Sequence, residues 1–94
     1  PVAAFAGDVV RLEKQNDAVA VTIDGQPFTT YHTAKSQAKP YFHPVVAANG
    51  AVITRPLENP KDHQHHKGIW CSVDEVNGIK FWMEAGRIEN VSCD

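Results

Sequence analysis

The apolar positions of the chain follow the spacing of β-strands. Val10 and Leu12 lie two positions apart in the first such segment, and apolar residues alternate with Ala20 and Thr22 in the segment 19–23. A period of two places these side chains on one face of an extended strand. By contrast, no window of about eleven or more residues has the apolar stripe of an amphipathic helix. We therefore predict an all-β fold.

Short turn sequences separate the strand-like segments. Asp24-Gly25, Asn49-Gly50 and Asn77-Gly78 each stand between two of them. Asp-Gly and Asn-Gly favour the type I′ turn of a two-residue hairpin, because both central residues of that turn take a positive φ. Turns of this kind along the whole chain predict an antiparallel meander. The predicted strands are 8–14, 19–23, 26–32, 44–48, 51–54, 69–76, 79–84 and 87–92.

Length limits the number of domains. The 94 residues allow one small domain, so we assign residues 1–94 to a single β domain. Its large aromatic side chains, such as Trp70, Trp82 and Phe42, have little other sequence to cover them, and the edges of an open sheet need cover. We therefore expect the domain to be part of a larger β-sandwich, which further sequence or another chain completes.

Composition and charge exclude two kinds of partner. The chain has 9 Lys and Arg against 11 Asp and Glu, for a net charge of −2, and so lacks the basic field that binds nucleic acid. Its longest apolar runs are far shorter than the roughly 20 residues that a membrane helix needs. We expect no nucleic-acid partner and no membrane insertion. Cys71 and Cys93 can form one disulfide or stay free, and the sequence leaves both open.

A histidine-rich segment is the sharpest chemical feature of the chain. It reads Asp-His-Gln-His-His-Lys-Gly over residues 62–68, at the end of the long polar loop 55–68. In an extended backbone His63 and His65 share a face, and two imidazoles at this spacing can bind one divalent metal ion. His43, which lies between two prolines, is the best candidate for a third ligand. The sequence thus predicts a divalent metal site formed by these three histidines.

Other roles for the same imidazoles remain open. They can act in acid–base catalysis or contact a substrate without metal, or they can hold the loop by bonding backbone carbonyls. Lys67 can lower the pKa of a neighbouring imidazole and so prepare it for proton transfer near neutral pH. The candidate catalytic residues are His43, His63, His65, His66, Lys67 and Glu84.

Aromatic residues near these positions suggest a surface for sugar binding. Trp82 shares one face of a predicted strand with Lys80 and Glu84, which combines an aromatic plane with charged hydrogen-bonding groups. More often, such a Trp is covered by another layer of the same protein. The candidate substrate-binding residues are Trp70, Trp82 and Tyr41.

Three segments together resemble a bacterial family of unknown function that is termed PmoA-like, or methane oxygenase-like. They are KPYFHP at 39–44, HQHHKGIW at 63–70 and VNGIKFW at 76–82, and the resemblance covers roughly residues 8–90. It implies a secreted or periplasmic β-sandwich associated with carbohydrate processing. Because members are typically longer, it also implies that this chain is the N-terminal portion of the sandwich.

The resemblance and the histidines together define the expected function. We expect a periplasmic or secreted carbohydrate-processing protein with a histidine-rich site, for which a metal-assisted lyase or hydrolase reaction is the specific hypothesis. A carbohydrate would be the ligand, and a divalent metal ion the cofactor. The alternative is a non-catalytic glycan-binding or structural β-domain of a larger assembly.

Overall fold

One antiparallel sheet forms the centre of the molecule. The computed structural model describes residues 9–58 and 61–94, so that Asp8 of the first predicted strand lies outside the described residues. The described residues contain no helix. Four strands pair in the order β1-β2-β3-β4, which confirms the predicted all-β class and the meander of the first half. They are β1 (Val10–Lys14), β2 (Ala18–Ile23), β3 (Gln26–His32) and β4 (Tyr41–Val45).

The turn between β2 and β3 has the predicted geometry. Asp24 and Gly25 have φ values of 51° and 79°, as a type I′ turn requires, and Ile23 pairs directly with Gln26. Asp24 also accepts a hydrogen bond from the Val9 backbone N–H through Oδ1, at 2.8 Å. This turn therefore supports both the hairpin that it connects and the start of β1.

The other two turn sequences behave differently from each other. Asn77-Gly78 is a second type I′ turn, with φ values of 53° and 81°. At Asn49-Gly50 only Gly50 has a positive φ, of 87°, and its N–H bonds to the Ala47 carbonyl at 2.9 Å. That is a type I turn closed by a left-handed glycine, which is the usual three-residue hairpin loop. The predicted type I′ geometry is wrong at this position.

The predicted strands of the second half are mostly wrong. The segment 44–48 is replaced by β4, which starts at Tyr41, and 87–92 is irregular. Segments 51–54, 69–76 and 79–84 contribute only isolated bridges. Local bonds explain the last case, because Glu84 N–H bonds to the Phe81 carbonyl and Ala85 N–H to the Lys80 carbonyl, both at 3.0 Å. These turn bonds occupy N–H and carbonyl groups that a strand ladder would need.

Both ends of the histidine loop are fixed to the outer edge of β4. Phe42 and Ile69 exchange two backbone bonds of 2.8 and 3.1 Å, just after the loop. Just before it, Ile53 N–H bonds to the Val45 carbonyl at 2.9 Å, and Thr54 Oγ1 accepts from the Val45 N–H at 3.1 Å. These contacts cover the edge strand, and they place the loop 55–68 beside the sheet.

The sheet is covered unevenly. Val19, Tyr41 and Val45 are the buried apolar residues of the described chain. Leu12, which pairs with Val21 on the β1 side, leaves 67% of its surface exposed. No second sheet occurs within 9–58 and 61–94, so the larger sandwich stays a prediction. In the same residues there is no helix long and apolar enough to cross a membrane.

Replacing Gly68 should reveal how tightly the loop is held. A Cβ at Gly68 would overlap the Phe42 carbonyl, which accepts the Ile69 N–H, and Gly68 also has a φ of 66°. We expect Gly68→Ala to lose about 1–2 kcal/mol from the left-handed backbone and a further 1–3 kcal/mol or so from the overlap. Urea unfolding measures the loss.

Gly78→Ala is the matched control for this substitution. Gly78 has a φ of 81° but nothing within 4 Å of its would-be Cβ, so only the backbone cost applies. Equal losses in the two variants would contradict the close approach of the loop to β4.

Candidate functional site

A buried ammonium group lies at the centre of the site. Lys39, two residues before β4, exposes only 1% of its surface. Its Nζ lies 3.3 Å from Glu84 Oε2 and donates a hydrogen bond to the His65 backbone carbonyl. The same Nζ lies 4.3 Å from the centroid of the Trp70 ring, within the range of a cation–π contact. Lys39 thereby connects the start of β4 to three other positions of the chain.

Glu84 lies between two lysines. Lys67 Nζ is 2.9 Å from Glu84 Oε2 and 3.2 Å from Oε1, and it also lies 3.5 Å from Gln37 Oε1. Glu84 itself has a φ of 64°, a left-handed conformation that costs a non-glycine residue about 1–2 kcal/mol. The two ion pairs offset that strain. We call Lys39, Glu84 and Lys67 the lysine–glutamate triad.

The triad fixes the charge of Glu84. Burial by itself raises the pKa of this carboxyl, but hydrogen bonds and charges from Lys67 and Lys39 outweigh it and hold the pKa below its usual range. Burial lowers the pKa of Lys39, and the carboxylate of Glu84 offsets part of that shift. Glu84 is consequently an anion at neutral pH and is not available as a proton donor.

The three loop imidazoles converge. The His63 and His66 rings stack with centroids 4.6 Å apart, and His65 meets His66 edge-on at 4.5 Å. His63 and His65 lie 5.8 Å apart. The loop is not extended: His63 has a φ of 46°, and its carbonyl accepts the His66 N–H at 2.9 Å. This bend brings His66 beside the other two, and we call the three residues the histidine cluster.

The surroundings of His66 favour its neutral form. Burial lowers its pKa, and the neighbouring His65, His63, Arg55 and Lys39 lower it further because each disfavours another positive charge. A pKa below the usual value keeps the imidazole neutral at pH 7. A neutral imidazole with a free ring nitrogen is the usual general base of enzymes near neutral pH.

Two tryptophans extend the cluster into an aromatic surface. The Trp70 ring lies 5.3 Å from the His66 ring and 5.3 Å from the Trp82 ring, while His66 and Trp82 are 6.4 Å apart. Trp70 also has the Lys39 ammonium over its ring, 4.3 Å from the centroid. Trp82 is 40% exposed. An aromatic plane next to a neutral imidazole is therefore open to a ligand.

His43 has a different environment from the cluster. Its Nε2 lies 3.0 Å from the Arg55 carbonyl, and its own carbonyl lies 2.7 Å from His32 Nε2. The His32 ring stacks on Tyr41 at 4.9 Å. Burial and the charge of Glu84 raise the pKa of Tyr41, whose side chain is 6% exposed. The contact between His43 Nε2 and the Arg55 carbonyl matches the hypothesis of an imidazole that holds a backbone carbonyl. Tyr41 is left with little surface for a substrate.

The geometry does not assemble the predicted metal ligands. His63 and His65 lie together, but His43 is directed to the Arg55 carbonyl. Over 9–58 and 61–94 no group of three or more His, Cys, Asp or Glu side chains is arranged to hold a metal ion. A divalent ion bound to the loop histidines stays a prediction. Cys71 and Cys93 are both free and exposed.

Sequence reasoning missed Lys39 as a site residue. It singled out Lys67 as the cation that lowers an imidazole pKa, whereas the cations that lower the pKa of His66 are Arg55 and Lys39. The sequence did contain one signal, because Lys39 is a charged residue at the first position of the 39–44 segment, two residues before β4. Pairing it with Glu84 requires a tertiary contact that no local pattern contains.

Arg55 is the second residue that sequence reasoning missed. Its guanidinium donates to Asp62 Oδ1 at 3.0 Å, to the Asp62 carbonyl at 2.9 Å and to the His63 carbonyl. The bond to the carboxylate, with a smaller contribution from His63, lowers the pKa of Asp62. Because Arg55 stands at the start of the loop, it ties that start to the histidine cluster.

Comparison with known proteins identifies the family of the chain. Residues 18–94 match DUF6807, a family of unknown function, and the chain belongs to that family. The match confirms the predicted membership of an uncharacterised family, and nothing in it shows a relationship to methane oxygenases. A search of curated proteins and a search of solved structures each found no significant match.

Neutralising Glu84 should destabilise the fold. In Glu84→Gln, Lys39 is buried without a counter-charge, and removing one partner of a buried pair costs about 3–5 kcal/mol. Glu75→Gln is the control, because Glu75 pairs with Lys80 at 3.2 Å and both are about half exposed. It should cost less than about 1 kcal/mol in urea unfolding at pH 7.

Acid should close the gap between wild type and Glu84→Gln. The folded pKa of Glu84 lies below its unfolded value, so its contribution is present at neutral pH and is lost as the pH falls through the folded pKa, below about 4.3. A gap that persists in acid would show that the loss has a cause other than charge.

A histidine titration should show the neutral state of His66 directly. Nuclear magnetic resonance of the ring protons, assigned with His66→Asn, should give a His66 midpoint below the ordinary value of about 6.5. A midpoint above that value would contradict the lowered pKa of His66.

Proposed function

We propose that this member of DUF6807 is a carbohydrate-processing protein whose sugar binds at the histidine cluster and its tryptophans. One observation carries the proposal: His66, whose pKa is lowered, lies 5.3 Å from Trp70, which in turn contacts the 40% exposed Trp82. The apolar C–H face of a sugar ring packs on an aromatic plane. Its hydroxyls would then lie within reach of the imidazoles.

The proposed chemistry is proton transfer. In a lyase reaction a neutral His66 accepts the proton of a C–H next to a carbonyl, and the C–H electron pair forms the new double bond as the leaving oxygen departs. In a hydrolase reaction it accepts a proton from the attacking water, whose oxygen replaces the leaving oxygen. His63 and His65 pack against the His66 ring. A divalent ion on the loop histidines would polarise a neighbouring carbonyl, and it defines the metal-assisted form of the proposal.

Glycan binding without turnover is the second candidate. The observation that favours it is the exposure of Trp82, since an aromatic plane suffices for a binding module. The two candidates separate at His66, because binding alone needs only its shape and contacts. Catalysis also needs its free ring nitrogen.

Location and assembly belong to the same proposal. We place the protein in the periplasm or outside the cell, following the resemblance of its 39–44, 63–70 and 76–82 segments. We also propose that further sequence or another chain completes a sandwich over the sheet. The exposure of Val10 and Leu12, at 59% and 67%, supports a missing layer on the β1 side.

A sugar panel with matched variants tests the function. Neutral and acidic mono- and oligosaccharides are added while tryptophan fluorescence reports binding and mass spectrometry reports products. Trp82→Ala should weaken binding about threefold to tenfold. His66→Asn keeps the approximate size of the side chain but removes the base, so it should bind normally and lower turnover by at least about 100-fold.

Neighbouring substitutions are the controls for this test. Met83→Ala, beside Trp82 and 60% exposed, and Gln64→Ala, within the same loop, should leave both readouts unchanged. Repeating the product measurement with a chelator distinguishes the metal-assisted reaction from the metal-free reaction. Absence of binding by every sugar would overturn the proposal, and binding without product would select the glycan-binding alternative.

A further inference from the structure

We infer that Lys39 is the positioning residue of this site: its ammonium group holds the histidine loop against Glu84 and keeps His66 packed on Trp70. Lys39 does not touch a ligand, since only 1% of its surface is exposed. It acts through other groups. The inference rests on the proposed function only where it treats His66 as the base.

The contacts of Lys39 join segments that are distant in the sequence. Its Nζ donates to the His65 carbonyl, one residue before His66, and lies 3.3 Å from Glu84 Oε2. The face of Trp70 lies 4.3 Å away. A hydrogen bond to a backbone carbonyl fixes the loop irrespective of which side chain follows. Lys39 thus fixes the position of the His66 ring relative to the Trp70 ring.

Lys67 cannot replace Lys39 in this role. Both lysines pair with Glu84, but Lys67 is 19% exposed, and its remaining hydrogen-bond partner is Gln37. Of the two lysines, it is Lys39 that bonds the backbone of the histidine segment, which Arg55 also holds at the Asp62 and His63 carbonyls. Without Lys39, Glu84 would still be paired with Lys67, so the carboxylate would not be left without a counter-charge.

Removal of Lys39 therefore has a predictable effect on His66. The loop loses the bond at the His65 carbonyl and can move toward water. The His66 and Trp70 rings, whose centroids lie 5.3 Å apart, should then separate.

Lys39→Met tests the inference in the full chain, with Lys80→Met as the matched control. Met has a similar length without the charge, and Lys80 is a lysine of an exposed pair with Glu75. At one fixed neutral pH, we expect the nuclear Overhauser contacts between the His66 and Trp70 ring protons to be lost in Lys39→Met and kept in Lys80→Met.

The outcomes separate this inference from the proposed function. Unchanged contacts between the His66 and Trp70 rings in folded Lys39→Met overturn the positioning role. If that variant does not fold, the same contacts are measured in Lys39→Gln, which keeps a neutral donor for the His65 carbonyl. Loss of folding in both, with Lys80→Met folded, overturns the inference in favour of a purely structural role. The measurement needs no sugar, so a failed sugar panel leaves its result intact.

Discussion

The site depends on one constraint, which is that the buried ammonium of Lys39 must be satisfied. Removing an ion from water costs several kcal/mol even after relaxation, and only close partners offset that cost. Glu84, the His65 carbonyl and the Trp70 ring are those partners, and they come from separate parts of the chain. The fold of the irregular second half follows from bringing them together. The left-handed backbone of Glu84 fits this view, since the residue is strained where it meets two lysines.

The sheet provides the rigid support for this arrangement. The histidine loop leaves the edge of β4 at Val45 and returns to it at Phe42, so that both ends are fixed by backbone bonds. Arg55 and Lys39 then brace the interior of the loop through its carbonyls. Loops that carry function are generally positioned by such a scaffold. Here the anchoring explains how neutral and charged groups can be held close together in a small domain.

Sequence patterns predicted the parts of the structure that local chemistry decides. The alternation around Val10 and 19–23 and the Asp24-Gly25 turn gave β1 to β3 nearly to the residue, because strand pairing there is between neighbours. The same alternation misled in 69–76 and 79–84, where local turn bonds and the ion pairs of Glu84 replaced a ladder. The convergence of the loop histidines was predicted from their spacing. Its geometry, however, comes from a bend at His63 that the spacing did not contain.

The environments of the titratable groups assign their roles in the proposed chemistry. Groups whose pKa values are pushed apart by their surroundings divide into acids and bases. The triad holds Glu84 as an anion, and burial keeps the Tyr41 hydroxyl protonated, so neither titrates near neutral pH. His66 remains neutral because further positive charge is disfavoured around it. The two roles are therefore separate in the proposed chemistry: the neutral imidazole of His66 accepts the proton, and the Glu84 anion pairs with the two lysines that support the site.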